Sequence, residues 1–150
     1  MKKVCENPYF DVVETINPTE SFKVFEHYTA TKLAERYHSV QEQVVIGVRE
    51  CDIEHCIDVV VGETKTLVEC KIKNTPGTAD QKLKTAVYDL QYALDNFKMK
   101  DGSKYEKAVL VLGGTKWVKK YKDWFRYEYI KNFPNISVSV FEEDPGFKDV

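Results

Sequence analysis

The sequence predicts a single α/β domain, a mixed central sheet flanked by helices, and three observations carry that expectation. Segments with helical period alternate along the chain with segments of strand period. One run, KAVLVLGG at 107–114, is apolar at nearly every position, as expected of a strand covered on both faces. The whole chain has 150 residues, the size of one domain, and no internal repeat or low-complexity stretch divides 1–150.

The first helix is announced by Asn17-Pro18-Thr19-Glu20. Asn17 offers an N-cap, Pro18 a preset first helical position, and Glu20 an acid placed to cap back. The helix is expected to run to about Tyr37. EQVVIGVR at 42–49 reads as a strand and CDIEH as a turn. CIDVVVG and TKTLVECKIK follow as a second and third strand joined at Gly62-Glu63. Pro76 and Gly77 break the sheet, and Thr78-Ala79-Asp80-Gln81 forms a second capping box. The helix it opens, to about Phe97, carries Leu83, Ala86, Val87, Leu90, Leu94 and Phe97 on one stripe. A third helix over roughly 116–132 is expected to turn Trp117, Tyr121, Trp124 and Phe125 inward, before a last strand at 137–141. The order is therefore α-β-β-β-α-β-α-β.

Apolar residues at 43% and charged residues at 31% exclude long disorder. No stretch approaches the roughly 18 apolar residues of a membrane helix, so no membrane partner is expected. The amino-terminal MKKVCENPYF has no apolar run behind its lysines and does not read as a secretory signal. A cytoplasmic location is expected, or a nuclear one in a host with a nucleus. Without secretion, Cys5, Cys51, Cys56 and Cys70 are expected as free thiols. Cys51, His55 and Cys56 lack the paired spacing of a tetrahedral zinc site. The net charge of −2 hides a polarity: residues 64–132 hold fifteen basic against eight acidic side chains, residues 1–62 six against eleven. A basic central stretch suits a polyanion, and it equally suits solvated lysine-rich helices.

The chemistry concentrates in TKTLVECKIK. With a period of two, Thr66, Val68, Cys70 and Ile72 share one face, and Leu67, Glu69, Lys71 and Lys73 the other. On the preceding strand Ile57, Val59 and Val61 are expected on one face, with Asp58 and Val60 opposite. If the two strands are neighbours, Asp58 approaches Glu69 and Lys71. Two carboxylates are enough for magnesium, which keeps several of its waters, and a lysine alongside can orient a water or stabilise charge on a phosphate. The plainer account is a strand ion pair between Glu69 and Lys71, with Asp58 a surface acid.

At these residues the sequence resembles the PD-(D/E)XK nuclease superfamily. The match is Ile57-Asp58 and Glu69-Cys70-Lys71, with Ile57 where the family name has proline. The resemblance spans roughly 18–113 and implies a restriction-endonuclease-like α-β-β-β-α-β core. It further implies an Mg²⁺-dependent endodeoxyribonuclease, with Mn²⁺ as a substitute, acting on DNA as a homodimer. Asp58, Glu69 and Lys71 would be the catalytic residues, with Asp58 and Glu69 holding metal. Phe25-Glu26 matches a first-helix acid carried by many members, so Glu26 is an additional metal candidate. PGTADQKLK resembles a segment following the strand in some members, which places Gln81 and Lys82 at the site; the plainer account is a helix cap and a solvated lysine. Alternatives are a junction-resolvase-like, structure-selective nuclease, or a non-catalytic DNA-binding or assembly subunit of the same fold. His27, His38 and His55 are scattered, and Gly113-Gly114 lacks the residues of a phosphate loop. Lys116, Lys119, Lys122 and Arg126 fall on the outer side of the third helix, as a phosphate strip or a soluble face.

Overall fold

A computed structural model describes residues 17–150. Cys5 and the MKKVCENPYF segment lie outside them. Helix α1 (Phe22–Ala34) precedes β1 (Val40–Val48), β2 (Glu54–Val61) and β3 (Thr66–Ile72). Helix α2 (Leu83–Asn96), β4 (Lys107–Gly113), α3 (Lys119–Tyr127) and β5 (Ile136–Val140) complete the order. The five strands lie side by side in sequence order, with β1, β2 and β3 antiparallel and β3, β4 and β5 parallel. The fold is α/β with a mixed sheet. Each parallel connection needs a crossover, and α2 and α3 supply them.

The sheet is covered on both faces, which explains the unbroken apolar run of β4. On one side α1 and the segment 141–150 pack Phe25, Leu33 and Phe147 onto Val59, Val68 and Val109. On the other, α2 and the region of α3 pack Leu83, Leu90 and Phe125 onto Leu67, Leu110 and Leu112. The predicted stripe of α2 is buried from Leu83 to Leu94, with Phe97 partly buried at its end.

Several expected details are different. Asn17 does not cap α1: its side chain closes a local turn, accepting from the Thr19 amide at 3.0 Å and the Thr19 hydroxyl at 2.8 Å. Ser21 caps instead, accepting from the Val24 amide at 3.3 Å, and α1 stops at Ala34 rather than Tyr37. Thr78 caps nothing. Residues Ala79–Lys82 form a 3-10 turn, because Asp80 is drawn inward to a buried ion pair with Lys73 and accepts from the Val118 amide at 3.0 Å. Burial opposes ionisation of Asp80, yet Lys73 and the Val118 amide hold its carboxyl below the usual range. Helix α3 ends at Tyr127 and a 3-10 turn follows, so the expected single helix is split. Trp117 and Phe125 turn inward and Tyr121 partly so, but Trp124 stays 40% exposed. Gly114 has φ of +98°, a left-handed turn that seats the backbone against Lys73. Among the described residues no helix is long and apolar enough to cross a membrane.

Candidate active site

The sheet opens into a fork where the two expected strands meet. The ladder between β2 and β3 has three pairs, Val59↔Val68, Val60↔Leu67 and Val61↔Thr66, and ends there. Beyond it β3 continues beside β4 alone, and β2 beside β1 alone. The next position in register would set Asp58 opposite Glu69. Freed from a ladder, the Cys70 amide donates instead to the Asp58 carboxylate at 2.8 Å. Backbone that loses its ladder must find another partner, and here an acidic side chain is recruited to the crotch of the fork.

The opposite strand is also irregular. In β1 the pairing with β2 skips Gln43, whose φ is +52°. The faces of β2 switch at that level. Ile57 joins Val60 in the cluster under α2, while Val59 and Val61 pack under α1. This corrects the expected common face of Ile57, Val59 and Val61; the strict alternation fails across Asp58.

Burial and the neighbouring Asp58 carboxyl push Glu69 up to about 9, with Lys71 acting in the opposite direction. The Glu69 carboxyl is thus held back from ionising by its burial and by the acid across the fork. Glu26, on the first full turn of α1, is half-buried beside them. Burial first, then Asp58 and Glu42, push it up to about 7 against a hydrogen bond from Gln43 and the charge of Lys71. That bond, Gln43 Nε2 to Glu26 Oε1, is 2.5 Å long. Among the described residues no three His, Cys, Asp or Glu side chains converge into a ready cation cage, so Glu26 faces the pair without closing it.

The Lys71 ammonium makes no ion pair with a described residue, Glu69 included. The strand ion pair that would have given these residues a purely structural role is absent among the described residues. A cleft of about 420 Å³ holds Glu26, Asp58, Glu69 and Lys71, with Ile72 and Trp117 among its walls. Cys70 turns away into the core, where its thiol lies 3.7 Å from Thr29 Oγ1 and burial pushes its pKa well up.

The remaining candidates divide. Lys82 lines the cleft, whereas Gln81 is exposed and does not. On α3, Lys119 pairs with Asp123 at 2.6 Å and Arg126 grips Glu143 with both terminal nitrogens, so two of the four outer cations are already neutralised. His27 is buried against Glu42 at 2.9 Å, and His55 packs against Tyr92 and Phe97. Cys51, Cys56 and Cys70 are free thiols. Sequence reasoning missed Gln43 and Phe22. Nothing in a strand pattern marks Gln43 as the partner of Glu26, and Phe22 is 58% exposed at the first turn of α1.

No protein-family model matches the chain, and neither a curated protein nor a solved structure matches it significantly.

Proposed function

We propose that this chain is a magnesium-dependent endodeoxyribonuclease of the restriction-endonuclease type, hydrolysing DNA phosphodiester bonds at Asp58, Glu69 and Lys71. The observation that carries the reading is the fork: two carboxyls meet across the open end of a ladder, beside an ammonium with no ion-pair partner among the described residues. The succession α1, β1, β2, β3, α2, β4 supports the restriction-endonuclease-like core that the sequence resembles.

The donors fit magnesium. They are hard oxygens, they number two, and they open onto a cleft where several waters can stay. Burial and the nearby Asp58 disfavour the charged form of Glu69, and a cation between the two carboxyls would relieve that repulsion. When bound there, magnesium would neutralise charge on the phosphate and acidify a water. Asp58 is fixed for that task by the Cys70 amide, and Glu69 by a strand that remains paired to β4. Lys71, two residues on, can hold the attacking water and offset charge on the phosphate oxygens. Cleavage of both strands of a duplex would need two such sites, most simply a symmetric pair of chains.

The test is plasmid cleavage with Mg²⁺ alongside metal-induced thermal stabilisation. Asp58→Asn should lose at least about a hundredfold in rate together with the stabilisation by Mg²⁺. Lys71→Ala should lose rate to a similar degree but keep the stabilisation, since an ammonium is no ligand. Cleavage at the wild-type rate by Lys71→Ala would overturn the assignment.

A further inference from the structure

The two largest apolar side chains at the candidate site behave oppositely. Trp117 is buried in the wall of the cleft, whereas Phe22, at the first turn of α1, is 58% exposed. Among the described residues nothing covers most of the Phe22 ring. Phe22 also stands at a particular place. It borders the cleft of Asp58, Glu69 and Lys71, and on its other side a second cleft of about 460 Å³ lined by Lys23, Gln43 and Glu42. Glu26 and Asp58 belong to both walls, so Phe22 caps a ridge running beside the acids. Each cleft has the volume of a small-ligand site. Each also presents a cation without an ion-pair partner among the described residues, Lys82 on one side and Lys23 on the other.

An exposed aromatic ring between two clefts, each carrying a lysine beside its acids, is suited to a strand whose bases are free to stack and whose phosphates reach those lysines on either side. Bases inside an intact duplex are already stacked on one another and cannot reach such a ring. We infer that Phe22 is a stacking platform for an unpaired nucleobase, with Lys23 and Lys82 holding the flanking phosphates, so that the preferred substrate is DNA with a single-stranded segment at the scissile position. This rests on the nuclease reading and narrows it to strands that are single, flapped, gapped or branched.

The full chain is tested for binding in metal-free buffer, where no cleavage intervenes. The probes are a single strand of about 12 nucleotides carrying a central 2-aminopurine, and the same sequence as a duplex. Fluorescence anisotropy gives the affinities, and quenching of 2-aminopurine reports stacking. Wild type should bind the single strand more tightly than the duplex and quench the probe. Phe22→Ala should weaken single-strand binding about tenfold and abolish quenching, while duplex binding is unchanged. Phe22→Trp should restore both. An unaltered single-strand affinity in Phe22→Ala, or a wild-type preference for duplex, overturns the inference and leaves the nuclease reading intact. If neither DNA form binds, the nuclease reading falls with it.

Discussion

Glu69→Gln separates a crowded acid pair from an ordinary surface carboxylate, and it does so through stability as well as rate. The Glu69 carboxyl is raised from 4.5 to about 9 by burial and by Asp58. A carboxyl raised in the folded state costs nothing below about pH 4.5, where both states are protonated. Between that pH and about 9 the unfolded chain ionises first, so stability falls as pH rises and levels off above the folded value. At pH 8 the span is about three and a half units, and about 1.36 kcal/mol per unit sets a ceiling near 5 kcal/mol. Glu69 is only half-buried, and relaxation toward water should reduce this to roughly 2–3 kcal/mol. Glutamine keeps the shape, carries no charge and can donate to Asp58. The variant should therefore melt about 5–10 °C above wild type at pH 8 without divalent cation, and close to wild type near pH 4. Mg²⁺ should raise the wild-type midpoint at pH 8 and leave that of the variant nearly unmoved. Melting curves from pH 4 to 9, with and without Mg²⁺, provide the assay. A variant that melts at or below wild type throughout pH 6–8 would refute the crowding on which the site is built.

Glu26→Gln should be neutral near pH 4 and stabilising above pH 7, because Glu26 is raised to about 7, and a metal titration should show a higher Mg²⁺ requirement for cleavage. Lys73→Met leaves Asp80 buried without its partner and should cost about 3–5 kcal/mol in urea unfolding, part of which a double Lys73→Met, Asp80→Leu variant recovers. Cys70→Ala removes a thiol from the core face of β3, so it should cost about 1 kcal/mol in the same assay while single-turnover cleavage stays near wild type.

The elements that can be read from the sequence are those in which local pattern and burial agree. The stripe of α2 and the unbroken run of β4 belong to this kind, since 3.6-residue spacing and two-sided cover each leave a direct trace in residue order. Both capping signals fail where a polar side chain of the capping segment finds another partner. Asn17 closes its own turn, whose Thr19 carbonyl accepts from Asn74, and Asp80 answers a lysine seven residues earlier. Neither partner is announced by the local sequence. The site is legible to the same extent. Strand alternation separates Cys70 from Glu69 and Lys71, and adjacency of β2 and β3 brings Asp58 near. The divergence of these strands, which leaves the Cys70 amide to Asp58, and the turn of Ile57 to the other face lie level with the irregular Gln43 of β1, and the pattern of the strands that carry the acids does not mark them.

The fork also has a mechanical meaning. Asp58 belongs to a two-strand arm, β1 with β2, and Glu69 to a three-strand slab, β3 to β5, and among the described residues the ladder between arm and slab has three residue pairs. An ion gripped by both carboxyls would act as a rivet across that seam, and the amides of Val59, Val60 and Val61 should then exchange with solvent more slowly. Occupancy of the site would thus be felt along the weakest line of the sheet, converting a local charge balance into stiffness between its two halves.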